Sequence, residues 1–275
     1  MAQTTVAFIL GDGYSGSTLL DLILGSHSRM VGLGEIDAES FDAFLDENQL
    51  CTCLLRAREC HFWNGVLGRI RERTRVESFR LGAAGGDPEA VTRNTINLLE
   101  AVKDVSRAEV LVDSSKRLRR ARLLAASGAI RPKVIHLVRD GRGVAYSYGK
   151  RGKPFREAVL QWQTVNAGIK NWLGGAGAPD NMGVRYEDLC ARPAEVARDV
   201  CEFLGFGWEP PMMLFGNKTH HNVRGNTMRF RVKSSTIKLD ETWKGELGED
   251  DLRLFDELTN PATAYDAHTP TEVVR

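Results

Sequence analysis

The segment GDGYSGSTLL, residues 11–20, follows a short apolar run and nearly matches the phosphate-binding loop pattern G-x-x-x-x-G-K-[ST]. Gly11, Gly16 and Thr18 occupy the expected positions, whereas Ser17 stands where the pattern has lysine. Glycines let the backbone curl so that successive N–H groups point inward, and a helix that begins near Ser17 adds its positive end. The segment therefore predicts a strand–loop–helix corner that binds an anion, with a corner that binds no ligand as the alternative.

Short apolar runs alternate with helix-like stretches along the rest of the chain. Four runs have the continuous hydrophobicity of parallel strands that helices cover on both faces: Val6–Leu10, Val110–Val112, Val134–Val138 and Met182–Tyr186. Apolar residues recur at helical spacing over residues 17–25, 115–127 and 157–173. Strand–helix alternation requires crossover connections, so we expect an α/β fold with a P-loop-like parallel β-sheet flanked by helices.

The length and the pattern indicate a single domain over residues 1–275. The chain has 275 residues, of which 42% are hydrophobic, and this is enough to build one core. Residues 36–109 are mostly helical in pattern and read as an insertion after the first βα unit, where we expect the acceptor to bind. Residues 216–240 are polar, basic and aperiodic, which is typical of a long functional loop.

Composition and charge exclude several classes of partner. The formal net charge is +1, so no global field favours nucleic acid or an acidic membrane surface. The apolar run Val6–Leu10 is too short for a signal peptide, and we find no membrane span. Five cysteines without a secretion signal indicate a reducing compartment, so we expect a cytoplasmic protein.

Residues that follow parallel strands share one edge of the sheet, where ligands bind. The segments after the four predicted strands are 11–18, 113–116, 139–147 and 186–189. They carry glycines, hydroxyl groups, a lysine and several arginines, which are groups that bind phosphate. Arg139 stands at a strand end, and Ser147 follows about two helical turns later. A solvated basic helix start is the alternative interpretation of this second motif.

The two motifs together resemble the superfamily of sulfotransferases that use 3′-phosphoadenosine 5′-phosphosulfate (PAPS). In that family a [K/R]-S-G-[ST]-[ST] loop holds the 5′-phosphosulfate, and an R-D-x-R-x-x-x-x-S element holds the 3′-phosphate. The loop stands here as Tyr14, Ser15, Gly16, Ser17 and Thr18, and the second element as Arg139, Asp140, Gly141 and Arg142 with Ser147. Segments 184–208 and 220–247 extend the resemblance, which is closest to tyrosylprotein, carbohydrate and bacterial sulfotransferases.

The resemblance implies PAPS as co-substrate, PAP as product and chemistry without a metal. It also implies that Tyr186 lies beside the adenine, although a buried strand-end tyrosine is an equal alternative. Arg151 follows Ser147 on the same helix-like stretch, so we expect it to bind the cofactor as well. The segment 216–240 resembles the late PAPS loop of the family. We therefore expect cofactor contacts from four of its residues, Arg224, Gly225, Asn226 and Lys238.

Sulfuryl transfer needs a base for the acceptor proton, cations for the leaving phosphate and exclusion of water. The family places Lys or Arg at the first loop position, where Tyr14 brings a hydroxyl but no charge. Lys116 resembles the catalytic lysine of tyrosylprotein sulfotransferases and is our candidate replacement. Glu35 resembles the glutamate that takes the acceptor proton in those enzymes, and His27 is the rival base.

These observations predict a PAPS-dependent sulfotransferase that acts on a hydroxyl, less readily an amine, of a small-molecule or glycan acceptor. A protein that binds PAP or PAPS without turnover is the first alternative, because Tyr14 has lost the usual charge. A P-loop kinase is the second, and Ser17 disfavours it because a kinase lysine neutralises β/γ-phosphates beside Mg²⁺. The sequence leaves the identity of the acceptor and the oligomeric state open.

A cysteine-rich segment, CTCLLRARECHFW, lies inside the insertion. It brings Cys51, Cys53, Cys60 and His61 close together in sequence, and thiolates and imidazoles are zinc ligands. The spacing is not the C-x₂-C of common zinc sites, and no second pair follows. The sequence therefore predicts buried or surface thiols without a metal, with a metal site as the first alternative and a disulfide as the second.

Overall fold

A computed structural model describes residues 3–230, 235–259 and 273–274. The expected late loop, 216–240, is thus described except for residues 231–234. The expected domain, 1–275, likewise includes residues 1–2, 260–272 and 275, which lie outside the described part.

The described strands form one sheet in the order β2-β3-β1-β4-β5-β6. The strands are β1 (Thr4–Leu10), β2 (Met30–Gly32), β3 (Val110–Asp113), β4 (Ile130–Val138), β5 (Asp180–Arg185) and β6 (Val273–Val274). All neighbours from β2 to β5 pair in parallel, whereas β6 pairs antiparallel with β5. Helices flank this sheet, which confirms the α/β fold.

Eleven α-helices are described, and those of the insertion are α2, α3 and α4. The helices are α1 (Ser17–Leu24), α2 (Ala38–Asp46), α3 (His61–Thr74), α4 (Pro88–Ser106), α5 (Leu118–Ala126), α6 (Gly141–Gly149), α7 (Phe155–Leu173), α8 (Tyr186–Ala191), α9 (Pro193–Leu204), α10 (Trp243–Glu246) and α11 (Glu249–Leu258). The helical character expected of residues 36–109 is therefore confirmed.

Both faces of β1 are buried, in two separate hydrophobic clusters. Val6, Phe8 and Leu10 point into a cluster that contains residues of α2–α5 and α7. Ala7 and Ile9 point into a second cluster, built with α1 and α9. Successive side chains of a strand point to opposite faces, so a strand that is covered twice must be apolar throughout. The core therefore holds β1, and the loop that follows it, in the centre of the sheet.

The sheet differs from the sequence-based expectation at four strands. Strand β6 was not predicted, and β5 spans Asp180–Arg185 rather than Met182–Tyr186, because Tyr186 begins α8. The edge strand β2 was not predicted, because three residues are too few to show a pattern. Strand β4 begins at Ile130, four residues before the predicted start at Val134. The prediction began too late because the polar residues Arg131 and Lys133 interrupt the apolar run. Lys133 is nevertheless held in the strand, since its ammonium donates to the carbonyl of Phe203 at 2.7 Å.

Within the described residues, no helix is both long enough and apolar enough to cross a membrane.

Candidate active site

The carboxyl ends of the parallel strands meet at one edge, and the structure brings the predicted segments together there. Arg139, after β4, donates from Nη1 to the carbonyl of Tyr14, after β1, at 3.0 Å. The backbone N–H of Asp140 donates to Oε1 of Glu187, which lies after β5, at 3.0 Å. The edge is therefore one continuous surface rather than a set of separate loops.

The start of α1 has the features of an anion site. The helix begins after Gly16, whose φ is 92°, without a side-chain cap and without an acidic residue in its first turn. The hydroxyl of Ser15 is buried and has no hydrogen-bond partner among the described residues. N–H groups at such a helix start need an acceptor, and phosphate oxygens supply one. This part of the structure can therefore hold a phosphate or sulfate group.

Close packing beneath the loop explains why Gly16 is needed. A Cβ atom on Gly16 would lie 2.5 Å from a ring carbon of Tyr186. Tyr14 adopts φ of 61°, a conformation that is uncommon for residues with a Cβ atom. The loop is therefore held in a conformation that the free chain would rarely adopt.

A buried acid, Asp12, organises the other side of the loop. Its Oδ1 atom accepts hydrogen bonds from the backbone of Gly13 at 2.8 Å, from the hydroxyl of Tyr148 at 2.9 Å and from Gln161 at 2.8 Å. Burial, and then the charge of Asp12, raises the pKa of Tyr148. The Tyr148 ring meets the Tyr14 ring edge-on at 4.8 Å, so the residue that replaces the family's basic residue is fixed by packing.

Lys153 brings a positive charge to this network, and the sequence analysis did not single it out. Its ammonium hydrogen-bonds to Oε1 of Gln161 and lies 5.1 Å from the centroid of the Tyr148 ring. Its position shortly after the R-D-x-R-x-x-x-x-S element was the one available signal, but nothing in the sequence pairs it with residues 12–14.

Arg139 is 5% exposed and joins three segments of the chain. Besides Tyr14, its guanidinium donates to the carbonyl of Asp240 at 2.7 Å and to the carboxylate of Asp240 at 3.2 Å. It lies 4.7 Å from the centroid of the Tyr186 ring, and burial raises the pKa of that tyrosine. Tyr186 is thus both a packing residue under Gly16 and a partner of the strand-end arginine.

The rest of the second motif lies on and just after α6. The hydroxyl of Ser147 is buried and donates to the carbonyl of Gly143 at 2.8 Å. Arg151 is exposed in the turn that follows the helix. Arg142 turns back onto Asp140, with its closest nitrogen–oxygen distance at 2.6 Å, and stacks over Trp243 at 4.5 Å. Arg142 therefore supports the helix start and is not among the residues that reach the loop.

Two of the three predicted catalytic side chains, Lys116 and Glu35, touch each other, and the third, Tyr14, lies in the loop after β1. Nζ of Lys116 lies 2.5 Å from Oε1 of Glu35 and donates to the carbonyl of Ser114 at 3.1 Å. The side chains are 17% and 26% exposed, so they reach the surface of the edge without being fully solvated. Lys116 adopts φ of 64°, which costs about 1–2 kcal/mol for a residue with a Cβ atom. Strain of this kind often marks a functional site.

Asp21 is a buried carboxyl group that ties the surroundings of this pair together. It accepts hydrogen bonds from the backbone of Gly34 at 3.1 Å, from the hydroxyl of Ser114 at 2.6 Å and from the side chain of Asn222. Burial raises its pKa to about 7, against the effect of these hydrogen bonds. Because Gly34 immediately precedes Glu35, the hydrogen bond from Gly34 to Asp21 fixes the backbone next to the predicted base. An acidic residue inside the apolar helix STLLDLIL was the sequence signal that could have identified Asp21 as a buried, hydrogen-bonded group.

The late loop contacts both halves of the edge. The backbone N–H of Glu35 donates to the carbonyl of Val223 at 2.7 Å, so the loop pairs with the segment that holds the predicted base. Farther along, the N–H of Asn226 donates to the hydroxyl of Thr18 in α1 at 3.1 Å. Arg224 and Gly225, between these contacts, both have positive φ, at 49° and 97°.

The loop returns to the edge on its other side. Lys238 is exposed and lies two residues before Asp240, the partner of Arg139. The structure thus describes all four loop residues that we expect to touch the cofactor. Asn226 contacts the edge itself, and Arg224, Gly225 and Lys238 lie within two residues of such a contact.

His27, the rival base, lies at the opposite end of α1. Its Nδ1 atom accepts from the backbone of Arg29 at 3.0 Å, and Nε2 lies 2.9 Å from the carbonyl of Gly207. The carbonyl of Arg29 in turn accepts from Val110 at the start of β3. Both ring nitrogens are engaged at the amino edge of the sheet, away from Glu35.

Comparison with known proteins now decides the family. The sequence profile described as "Sulfotransferase family" matches residues 7–210, which is well over half of the chain. The chain belongs to this family.

Relatives in this family include carbohydrate sulfotransferases. Carbohydrate sulfotransferase 1 of Danio rerio is 29% identical over 151 residues, which cover 43% of this chain and 34% of the relative. The protein of that name from Mus musculus is 29% identical over 158 residues, which cover 47% and 37%. The chain thus matches little more than a third of the length of these relatives.

Two solved structures share the fold over almost the whole chain. The sulfotransferase domain of the Synechococcus PCC 7002 olefin synthase has a TM-score of 0.58 at 23% identity and covers 96% of each chain. The sulfotransferase domain from the curacin biosynthetic pathway has a TM-score of 0.50 at 20% identity and covers 94% of this chain and 98% of its own. At these identities the likeness supports the fold alone.

Proposed function

We propose that this protein transfers a sulfuryl group from PAPS to a hydroxyl group, or less readily an amine, of its acceptor. The observation that carries the proposal is the contact of 2.5 Å between Lys116 and Glu35 at the edge where α1 begins uncapped. A cation and a base side by side, next to an anion site, supply what an in-line displacement requires. No step of this reaction needs a metal.

The 5′ end of PAPS binds at the start of α1. Its phosphosulfate accepts hydrogen bonds from the N–H groups of the first turn and from the hydroxyls of Ser15, Ser17 and Thr18, with Tyr14 and Gly16 shaping the loop. What supports this is the unpartnered, buried hydroxyl of Ser15 together with the uncapped helix. The helix dipole adds favourable electrostatics for an anion.

The 3′-phosphate binds on the side of Arg139. Arg139 has a planar guanidinium with five N–H donors, which suits a phosphate even while it holds Tyr14 and Asp240. Ser147 and Arg151 add a hydroxyl and a charge, and Tyr186 lies on the adenine side. The late loop closes over the nucleotide with Arg224, Gly225, Asn226 and Lys238.

Glu35 takes the proton of the acceptor hydroxyl as the acceptor oxygen bonds to sulfur. The bond between sulfur and the bridging oxygen breaks, its electron pair stays on the 5′-phosphate of PAP, and Lys116 stabilises that developing charge. Glu35 is preferred to His27 because both ring nitrogens of His27 are engaged at the amino edge. Lys116 also supplies the charge that Tyr14 lacks.

The acceptor is a glycan or a small molecule that bears a hydroxyl group. A glycan is favoured because the relatives are carbohydrate sulfotransferases, although they match only part of the chain. The helical insertion, residues 36–109, begins directly after Glu35 and therefore borders the position where the acceptor must lie. The five free cysteines favour a reducing compartment, in keeping with a cytoplasmic location.

One observation favours a second function, the binding of PAP or PAPS without turnover. Tyr14 carries no charge and is packed against Tyr148, so the loop itself lacks the family's cation. A kinase is disfavoured because Ser17 replaces the lysine that neutralises β/γ-phosphates beside Mg²⁺.

Transfer of ³⁵S from labelled PAPS to a panel of glycans, phenols, alcohols and amines, in EDTA, tests the proposal. We expect a sulfated product in EDTA for at least one acceptor class. Lys116→Ala should then lower kcat by about 100- to 1,000-fold, the effect of removing one transition-state donor. Its affinity for PAPS should stay within about threefold, because the charge on which Lys116 acts is absent from bound PAPS. PAP carries that charge in full and should bind more weakly to the variant.

Lys170→Ala is the matched control, because Lys170 is an exposed lysine on α7. This variant should keep both turnover and PAP affinity. If PAP binds and no acceptor is ever sulfated, the protein is a binding protein and the proposal is wrong. Phosphoryl transfer from ATP that requires Mg²⁺ would also overturn it, in favour of a kinase.

A further inference from the structure

Three cysteines of the insertion and one histidine of the late loop converge far from one another in sequence. The Sγ atoms of Cys51, Cys53 and Cys60 and the ring nitrogen of His221 all lie within 4.8 Å of one another. Cys51 and Cys60 are buried, and Cys53 and His221 are half-buried. His61, which is adjacent to Cys60 in sequence, is exposed and does not belong to this cluster.

Four of the six distances between ligand atoms in the cluster are close to those of a tetrahedron around a zinc ion. Zinc bonds of about 2.3 Å to sulfur and about 2.0–2.1 Å to nitrogen, at tetrahedral angles, place sulfurs about 3.8 Å apart and sulfur and nitrogen about 3.6 Å apart. Cys60 Sγ lies 3.7 Å from Sγ of both Cys53 and Cys51. Nδ1 of His221 lies 3.4 Å from Cys60 Sγ and 3.8 Å from Cys51 Sγ. A disulfide needs sulfurs about 2.05 Å apart, so the cluster is arranged for coordination.

Local backbone structure holds the cysteines in this arrangement. The N–H of Leu54 donates to the carbonyl of Cys51 at 2.9 Å, and the N–H of Cys51 donates to the carbonyl of Leu55 at 2.9 Å. Leu54 adopts φ of 67°, which folds the chain back so that Cys51 and Cys53 face the same point. Cys60 is fixed at the start of α3, where it is the N-cap residue.

His221 is held toward the cysteines by two aromatic residues of α3. Its ring stacks on Phe62 with centroids 4.7 Å apart and an interplanar angle of 6°. Its carbonyl accepts a hydrogen bond from the indole of Trp63 at 2.8 Å. The histidine is thus positioned by neighbours that do not belong to the cluster.

We propose that Cys51, Cys53, Cys60 and His221 bind one zinc ion in a closed structural site. Three thiolates and one imidazole form a ligand set typical of structural zinc, and four protein ligands leave no open position for catalysis. The soft sulfur ligands disfavour magnesium and calcium, which prefer oxygen. The inference rests on side-chain geometry and does not depend on the proposed reaction.

The zinc ion fastens the late loop to the insertion. The two residues that follow His221 are Asn222, which donates to Asp21, and Val223, which pairs with Gly34. Arg229 braces the same region, since it donates to the hydroxyl of Thr52 at 3.0 Å and to the carbonyl of Asn222 at 3.1 Å. The metal therefore positions the chain that carries Arg224 to Asn226 across the edge of the sheet.

Metal content of the protein purified under reducing conditions, from cells supplied with zinc, tests the proposal directly. We expect one zinc per chain by mass spectrometry. Cys60→Ser and His221→Ala should lose the metal, whereas His221→Cys should retain it, because a fourth thiolate completes a tetrahedral site. Cys190→Ser and His61→Ala are matched controls outside the cluster and should keep one zinc.

Two measurements on the unaltered protein avoid dependence on variants that fail to fold. After removal of zinc by a chelator, titration with Co²⁺ should give the visible absorption of tetrahedral cobalt thiolate and saturate at one ion per chain. In denaturant with EDTA and no reductant, a thiol reagent should find all five cysteines free. The absence of bound zinc and cobalt, full metal content in His221→Ala, or only three free thiols would overturn the proposal.

Discussion

Asp21 is a buried carboxyl group that ties together the backbone segments next to two side chains that we predict to be catalytic. It accepts three hydrogen bonds, from Gly34, Ser114 and Asn222, and these donors lie on three different segments of the chain. Glu35 and Lys116 follow the first two donors within two residues. Asp21 touches neither Glu35 nor Lys116, but it fixes Gly34 and Ser114, the residues that precede them by one and two positions.

The raised pKa of Asp21 predicts a specific dependence of stability on pH. The pKa rises from an ordinary 3.8 to about 7, because burial disfavours the charged form. Between these values the native state keeps a proton that the unfolded state has lost, so this group's contribution to the free energy of unfolding falls as the pH rises toward 7. Above about pH 7 both states are ionised, and the contribution no longer changes.

Asp21→Asn removes this titration and should cost about 1–3 kcal/mol, because the new amide faces hydrogen-bond donors. Urea unfolding between about pH 5 and pH 7 measures both effects.

Two buried histidines give a background that the variant and the unaltered protein share. Burial lowers the pKa of His136 and His220 to about 4, so their contribution to the free energy of unfolding rises with pH up to 6.5, the ordinary pKa of histidine. The variant should therefore gain stability with pH more steeply than the unaltered protein. Equal slopes would show that Asp21 does not hold its proton near neutral pH.

Among individual site residues, those next to strand ends were the easiest to predict from the sequence. The loop residues 14–18, Lys116 and Arg139 all follow predicted strands, so the topology of a parallel sheet was enough to bring them to one edge. Glu35 follows β2, which was not predicted, and only the family resemblance indicated it. Asp240 and His221 could not be predicted as partners, because their contacts span 101 residues to Arg139 and 161 residues to Cys60. Contacts of that length depend on the path of an aperiodic loop.

Among the elements, the late loop is the one that joins the predicted base to the anion site. Val223 pairs with Gly34 on one side, and Asn226 donates to Thr18 at 3.1 Å on the other. Gly225 lies between them with φ of 97°, and a Cβ atom there would lie 3.1 Å from the hydroxyl oxygen of Thr18. Glycine favours both contacts, because a residue with a Cβ atom would be strained at this φ and would crowd the hydroxyl of Thr18.

Gly225→Ala should therefore weaken cofactor binding without unfolding the protein. Alanine in this conformation costs about 1–2 kcal/mol, and displacement of the loop from Thr18 should raise the Kd for PAP by about tenfold. Gly177→Ala is the matched control, since Gly177 also has positive φ, at 74°, with nothing within 4 Å of the added Cβ. Calorimetric titration of both variants measures the difference. The loop has no role in binding if the two variants bind PAP equally well.

The elements themselves were predictable where apolar residues are continuous or periodic. Strands β1 and β3 and helices α1 and α7 match the predicted ranges within two residues at each end. Both edge strands, β2 and β6, and the first residues of β4 were missed, because in those places pairing with a neighbour, rather than hydrophobicity, decides the conformation. For the insertion, the sequence predicted helical structure but not the bounds of the individual helices.

Across the whole molecule, the net charge of +1 gives no overall attraction for an anion. Positive charge is instead collected locally, where Arg139, Lys116 and the start of α1 reach one edge of the sheet. Both faces of the sheet are closed by hydrophobic clusters, so this edge is where the loops after β1, β3, β4 and β5 gather. A nucleotide with a second phosphate matches such a distribution better than a single anion would.

The measurement that tests this account most directly is a calorimetric comparison of PAP with adenosine 5′-monophosphate, in EDTA. The two ligands differ only in the 3′-phosphate, and one charge-assisted hydrogen bond contributes about 1.5–3 kcal/mol. We predict one PAP per chain, bound at least about tenfold more tightly than the monophosphate. We also predict that Arg139→Gln abolishes the preference. Equal affinities for the two nucleotides, or binding that requires Mg²⁺, would contradict the proposal that this edge of the sheet binds PAPS.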